Sequence, residues 1–289
     1  MTPLVLALLA LVLAGPAPWA LSRVTALRAT PRAAMLLWQS LGLSAVLAAL
    51  GSSLALATDS ALGEDASGRR VALAAFALSV TVVVGGRLLW KGHLVGTRVR
   101  ALRRRHRDLV DLLATDDGGI RVLDETSLLA YCVPGLRPRV VLSQGARAAL
   151  KPLELDAVLA HERAHLRARH DLVLEAFTVL HESFPRLVSS AAALAEVELL
   201  VEVLADRAAV RRVGAPPLAR ALVTLVGSAV PDSALGAGGP TLVERVHLLA
   251  DTSPHRVMAA STVVSAVLVL ALPTVFVALP WLEEVGRRL

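Results

Sequence analysis

Four long apolar blocks divide the chain, and a stretch of mixed pattern separates the third from the fourth. The blocks run over about 3–22, 33–57, 71–90 and 257–281. Each is close to or above the roughly 20 residues that a helix rising 1.5 Å per residue needs to cross a bilayer. None holds an acidic residue. Arg87, near the end of the third block, is the one charge inside them, placed where its stem can snorkel to the interface. Between 91 and 256 the pattern changes. A helical run at 98–115 is expected to end at the turn TDDGG (115–119). IRVLD (120–124), LLAYCV (128–133) and VVLS (140–143) read as short strands, with PGLRPR (134–139) as a turn. Pro152 suits the first turn of an amphipathic helix over 153–170. Helical stretches follow at 171–184, ended by Pro185, at 187–213 and near 216–230. A Gly-rich segment, SALGAGGP (233–240), reads as flexible connection only and leads to TLVERVHLLAD (241–251). No internal repeat is visible.

Composition sharpens this map. At 55% hydrophobic, 19% charged and a mean hydropathy of +0.62, the chain is too apolar to cover a soluble surface. That excludes a disordered chain, a disulfide scaffold and a simple cytosolic enzyme. The single cysteine, Cys132, cannot form an internal disulfide and reads as a small buried apolar residue. Trp19, Trp90 and Trp281 at block ends, with Trp38 a little inside one, fit an interfacial aromatic belt. No basic residue precedes the first apolar run, so this block is read as a retained helix rather than a signal peptide.

The net charge of +6 is almost all arginine, since Lys91 and Lys151 are the only lysines. Arg23, Arg28 and Arg32 follow the first block, and Lys91 with six arginines between 98 and 107 follows the third. Positive-inside bias places both segments in the cytoplasm and both termini outside. The run RVRALRRRHR (98–107) reads as a juxtamembrane anchor on an anionic leaflet, not as a nucleic-acid surface, because no aromatics interleave it. The expected fold is therefore a mostly α membrane protein. Residues 1–90 supply three transmembrane helices and 91–256 an inserted cytoplasmic α+β zincin-like domain, an active-site helix with a small sheet. Residues 257–289 supply the fourth span and a short outer tail.

The chemistry lies in HERAH, His161-Glu162-Arg163-Ala164-His165. Positions i and i+4 lie about 40° apart on a helix, so both imidazoles can share one metal ion. Glu162 is placed to take a proton from a metal-bound water, and zinc suits the ligand set. His170 lies nine residues after His161, about 180° round the helix, and cannot join the site while that helix continues. A third ligand is better sought on the later helix, where Glu198, Glu202 and Asp206 form an i, i+4, i+8 acidic stripe. Alone, that stripe reads as a solvated face paired with Arg207, Arg211 and Arg212. Beside HERAH it reads as a metal wall, since burying it without a cation is costly. Spacing does not choose between Glu198 and Glu202. His181, His247 and Tyr131 are candidate oxyanion donors.

VLAHERAHLRARHD (158–171), followed by EVLADRAA (202–209), resembles the membrane-embedded metallopeptidases of the BlaR/MecR family, and more distantly the HtpX and CAAX prenyl protease group. The resemblance implies one zinc per chain, held by His161, His165 and Glu202, with Glu162 as general base and Asp206 as support. AYCVPG (130–135) with RPRVVLSQGA (137–146) resembles the segment before HExxH in both groups. There Ala130, Tyr131, Cys132 and Val133 would pair with an extended substrate backbone; a plain core strand is the competing reading. The span layout also resembles that family. Its sensors carry a large extracellular penicillin-binding domain after the fourth span, whereas only eight residues follow Trp281 here, so direct β-lactam sensing is not expected of this chain. The function these features imply is a zinc endopeptidase in a bacterial-type plasma membrane. Its substrate would be a cytoplasmic protein, with a BlaI-type repressor as the family's partner. The alternatives are HtpX-like quality control of membrane proteins and a non-catalytic signalling protein with a vestigial site.

Overall fold

The structure is a computed structural model and describes residues 2–61, 68–184, 190–225, 235–236, 242–251 and 253–288. In chain order the helices are α1 (Thr2–Ala14), α2 (Pro16–Leu21), α3 (Pro31–Ala61) and α4 (Gly68–Leu113), with a 3-10 turn at Thr25–Ala29. Strands β1 (Ala114–Asp117), β2 (Ile120–Leu123), β3 (Ala130–Val133) and β4 (Arg139–Ser143) follow. Then come α5 (Gln144–Ala149), α6 (Pro152–Ala168), α7 (His170–Ser183), α8 (Ser190–Val213) and α9 (Ala215–Thr224). The two-residue β5 (Leu235–Gly236), α10 (Leu242–Ala250) and α11 (Arg256–Arg288) complete the described elements. They fall into two compact units. One holds 1–93, 177–197 and 255–289; the other holds 94–176 and 198–254.

The first unit contains four helical segments long and apolar enough to cross a membrane: Pro3–Leu21, Pro31–Thr58, the apolar part of Gly68–Leu113, and Arg256–Val275. α3 packs against α1 and α11, and Ser44 Oγ donates to the Val269 carbonyl at 2.8 Å. Ser53 Oγ meets Thr81 Oγ1 at 2.6 Å, joining α3 to α4. The polar contacts cluster elsewhere: Arg28 pairs with Glu196, Arg87 Nε donates to the Ser183 carbonyl at 2.7 Å, and Lys91 Nζ lies 3.3 Å from Glu182. Three expectations change here. The first apolar block is two helices, because Pro16 opens a new one after Gly15. The third block and the helix expected at 98–115 are one continuous 46-residue helix, since nothing between 91 and 97 supplies a proline or a cap to stop it. Trp38 is 2% exposed and faces an apolar cavity of about 490 Å³, so it does not belong to an interfacial belt. Trp19 does stay exposed, with the Arg23 guanidinium 3.3 Å above its ring.

The second unit is built on a sheet of order β1-β2-β4-β3-β5, in which only β2 and β4 run parallel. The TDD of the expected turn is strand β1 instead. Gly118 and Gly119, at φ 61° and 85°, form a two-residue loop that pairs Asp117 with Ile120. Such a loop needs positive φ at both positions, which glycine supplies at least cost. Side chains alternate across β3. Ala130 packs with Leu142, Ala157, Val158, Ala160 and Leu218, on the side of α6 and α9. Tyr131 and Val133 pack with Val110 of α4 on the other side. By the same alternation Cys132 faces α6. At the end of β4, Ser143 Oγ accepts from the N–H groups of Leu129 and Ala146, capping α5 and holding the loop before β3. A Cβ at Gly145 would lie 2.0 Å from the Thr126 carbonyl, so this approach excludes any side chain. Leu235 and Gly236, expected within a flexible connection, pair with Cys132 and Tyr131. The rest of 233–240, residues 226–230 of the helix expected near 216–230, and the acidic loop around Glu64 and Asp65 lie outside the described residues, as do the side chains beyond 275, Trp281 among them.

Candidate metal centre

α6 carries the HERAH sequence on its inner face. Pro152 starts the helix, and the Glu154 carboxylate accepts the Lys151 N–H at 3.0 Å while pairing with Arg220 at 2.9 Å. One end of the helix is thereby fixed on α9. The apolar positions Ala157, Val158, Ala160 and Ala164 bury it, and they take His161, Glu162 and His165 inside with them, each 0% exposed. The Nε2 atoms of His161 and His165 point at each other across 3.0 Å. Glu202 of α8 closes the triangle: Oε2 lies 3.4 Å from His161 Nε2 and Oε1 3.4 Å from His165 Nε2. Tetrahedral zinc with bonds of about 2.0–2.2 Å holds its ligand atoms roughly 3.3–3.6 Å apart, and this triangle is close to that size. Both Glu162 oxygens are buried without a hydrogen bond. An orphaned buried carboxylate beside two imidazole nitrogens and a second carboxylate that converge on one point fits a divalent cation. Glu198, the other glutamate that spacing allowed, is exposed one turn away and takes no part in the cluster.

Each histidine is backed at its other nitrogen. His161 Nδ1 lies 2.9 Å from Asp206 Oδ1, and His165 Nδ1 lies 3.0 Å from His170 Nδ1. When Nε2 of His165 binds a metal its proton sits on Nδ1, so His165 donates and His170 accepts. The helix containing His165 ends at Ala168, and Arg169 takes left-handed backbone at φ 51°. The chain reverses there, and His170 opens α7 and folds back onto the site. The helix does not continue to His170, so the exclusion by helical position does not apply; among the described residues His170 stands outside the cluster of ligand atoms and packs against His165 instead. Asp171 beside it is 1% exposed and held by Arg103 at 3.0 Å and Arg169 at 3.2 Å. Arg245 of α10 completes the inner layer. It donates to both oxygens of Asp206, at 2.7 and 2.6 Å, and its Nη1 lies 3.0 Å from Glu202 Oε2. Sequence reading did not single it out; an arginine on an apolar amphipathic run, VERVHLL, was the available signal.

The electrostatics match this arrangement. Burial drives His165 down to about 3 and His170 to about 4, which keeps both rings neutral. Burial opposes a proton on His161 as well, but Asp206 and Glu202 outweigh it and lift that ring to about 10. The same pair of carboxylates favours a cation between the rings. Burial, reinforced by the Glu202 charge and opposed by His161, raises Glu162 to about 8. That range suits a group that takes and returns a proton near neutral pH. Cys132 faces the same carboxylate from β3: burial, then the Glu162 charge, push its thiol well up. It stays a neutral, buried, small side chain.

The remaining candidates fall elsewhere. Ala130, Tyr131, Cys132 and Val133 do form the strand beside α6, and all four are buried. Among the described residues, β4 pairs along one edge of this strand, and Leu235–Gly236 take two positions of the other. Tyr131 points to the face away from α6, where its hydroxyl meets His106 Nε2 at 3.0 Å, so it is not an oxyanion donor. His247 is exposed two residues after Arg245, about 200° round α10 from it. His181 belongs to the other unit.

No curated protein and no solved structure matches the chain. Residues 97–199 match the model of Peptidase family M48, zinc metallopeptidases of the membrane zincin type. The matched stretch contains His161, Glu162 and His165 and ends before Glu202, which the fold brings to them. Family match and triad together support a metallopeptidase.

Proposed function

We propose that this protein is an integral-membrane, zinc-dependent endopeptidase that hydrolyses a peptide bond of a cytoplasmic protein. The observation that carries the reading is the convergence of His161, His165 and Glu202 beside the buried, unpaired carboxylate of Glu162. His161, His165 and Glu202 hold the metal. A bound zinc ion supplies Lewis-acid polarisation of the scissile carbonyl and acidifies the attacking water. Glu162 accepts the proton of that water and returns it to the departing amine nitrogen, so no net proton is consumed at the residue. Asp206 and His170 keep the two rings turned with Nε2 inward.

The positive-inside bias of the basic segments supports a cytoplasmic peptidase unit, with both termini on the outer side of a bacterial-type plasma membrane. A BlaI-type repressor as substrate rests on the resemblance of VLAHERAHLRARHD and EVLADRAA to the BlaR/MecR family.

The test is metal content and proteolysis of the detergent-purified protein, with His161→Ala as control. The expected result is about one zinc per chain and cleavage of a cytoplasmic protein substrate, a BlaI-type repressor first, both lost in the variant. Wild-type protein that is folded, never exposed to chelator and free of zinc would sink the reading.

A further inference from the structure

The ligands, the base and the supporting carboxylate together do not balance the charge of the ion. With a metal bound, both imidazoles ligate as neutral rings, while Glu162, Glu202 and Asp206 contribute three negative charges when ionised. A zinc ion supplies two positive ones. Arg245 supplies the third. Arg245 is 1% exposed, on α10, and its guanidinium spans the two carboxylates of α8 that face the site. Nε and Nη2 donate to the two oxygens of Asp206 at 2.7 and 2.6 Å, and Nη1 stands 3.0 Å from Glu202 Oε2. A planar fork that is always charged can hold two carboxylates in one fixed geometry, which a lysine cannot do.

We propose that Arg245 is a positioning residue of the metal centre. It holds Glu202, the one ligand not on α6, with its oxygens toward His161 and His165. It also keeps Asp206 turned so that Oδ1 reaches His161 Nδ1. One side chain from α10 thereby orients a ligand directly and a second ligand through its supporting carboxylate. Being buried and fully engaged, Arg245 touches no substrate and is not a catalytic residue. The proposal rests on the metallopeptidase reading. It also makes α10 a necessary part of the centre, although this helix lies beyond the residues that match the peptidase family.

Removing the guanidinium has two opposed effects on metal binding. It takes a like charge away from the ion, which favours binding, and it frees Glu202, which opposes it. Orientation dominates here: the Glu202 side chain keeps 18% exposure and, once released, can turn to water. Supporting residues of metal ligands commonly affect affinity about 10–100-fold when removed.

The experiment uses the full-length protein in detergent, as wild type, Arg245→Met and Arg245→Lys. Zinc affinity is measured by competition with a chromophoric chelator, the cobalt-substituted absorption spectrum reports ligand geometry, and Tm of the metal-free protein reports the fold. Arg245→Met is expected to lose zinc affinity about 10–100-fold and to change the cobalt bands, and Arg245→Lys to recover only part of the loss. Should the Met variant not fold, the Lys variant decides: weaker zinc binding at an unchanged metal-free Tm supports positioning. Unchanged or tighter zinc binding with the wild-type cobalt spectrum, in either folded variant, overturns the proposal. A wild type that binds no zinc overturns the metallopeptidase reading and this proposal with it, a result distinct from a zinc-binding wild type matched by its variants.

Discussion

The two compact units place polarity in opposite ways. In the unit with the apolar helices, large hydrophobic side chains face outward: Leu8, Phe76, Val82 and Leu268 are each 60% exposed or more. In the other unit, charge faces inward: His161, Glu162, His165, Asp206 and Arg245 are each 2% exposed or less. Each arrangement would be costly under the other's conditions. Exposed leucines and valines are stable where the solvent is hydrocarbon, because there is no water to exclude. A buried cluster of carboxylates and histidines is tolerated only where each charge meets a partner or a cation. The contrast shows that burial has to be judged against the medium and the counter-charge, not the residue type alone.

Five substitutions sharpen that contrast, in descending order of expected effect except that Leu268 is set beside Leu142 as its control. Glu162→Gln removes the proton acceptor but no ligand. kcat should fall about 10²–10⁴-fold with zinc content unchanged, and a variant that retains wild-type turnover would deny Glu162 its role. Leu142→Ala cuts a cavity into the core beneath α6 and should cost about 2–5 kcal/mol in the unfolding free energy of the metal-loaded protein. The same truncation at Leu268, on the outer face of α11, should change stability by no more than about 0.5 kcal/mol in a detergent titration; equal costs at the two sites would erase the distinction between the units. His170→Ala takes the acceptor from His165 Nδ1, and zinc affinity should drop at the low end of the 10–100-fold range, read by chelator competition. Ser44→Ala deletes one inter-helix hydrogen bond, worth about 0.6 kcal/mol inside a membrane bundle. A larger loss there would mean the bundle depends on polar contacts after all.

The apolar blocks, the HERAH helix and the strands at 120–143 were legible because each rests on local pattern: block length, a 3.6-residue period, or alternation bounded by turns. The misses have equally local causes. Pro16 breaks the first block within a stretch that average hydropathy treats as uniform. The basic segment after the third block changes the solvent but contains no helix stop, so α4 runs through it. TDDGG looks like a loop by composition, yet its two glycines make the tight turn that leaves Thr115 to Asp117 free to pair as β1.

The site divides the same way. Sequence by itself determined that two imidazoles share one helical face, with a carboxylate close by between them, because helix geometry alone fixes residues four apart. It also determined that an acidic stripe waits on a later helix. Only the tertiary structure decided that Glu202 and not Glu198 reaches the rings, that His170 returns to back His165 after the left-handed turn at Arg169, and that Arg245 spans Glu202 and Asp206. Those contacts join residues up to 43 positions apart. Their geometry depends on how α6, α8 and α10 pack, and no periodicity within one segment encodes that.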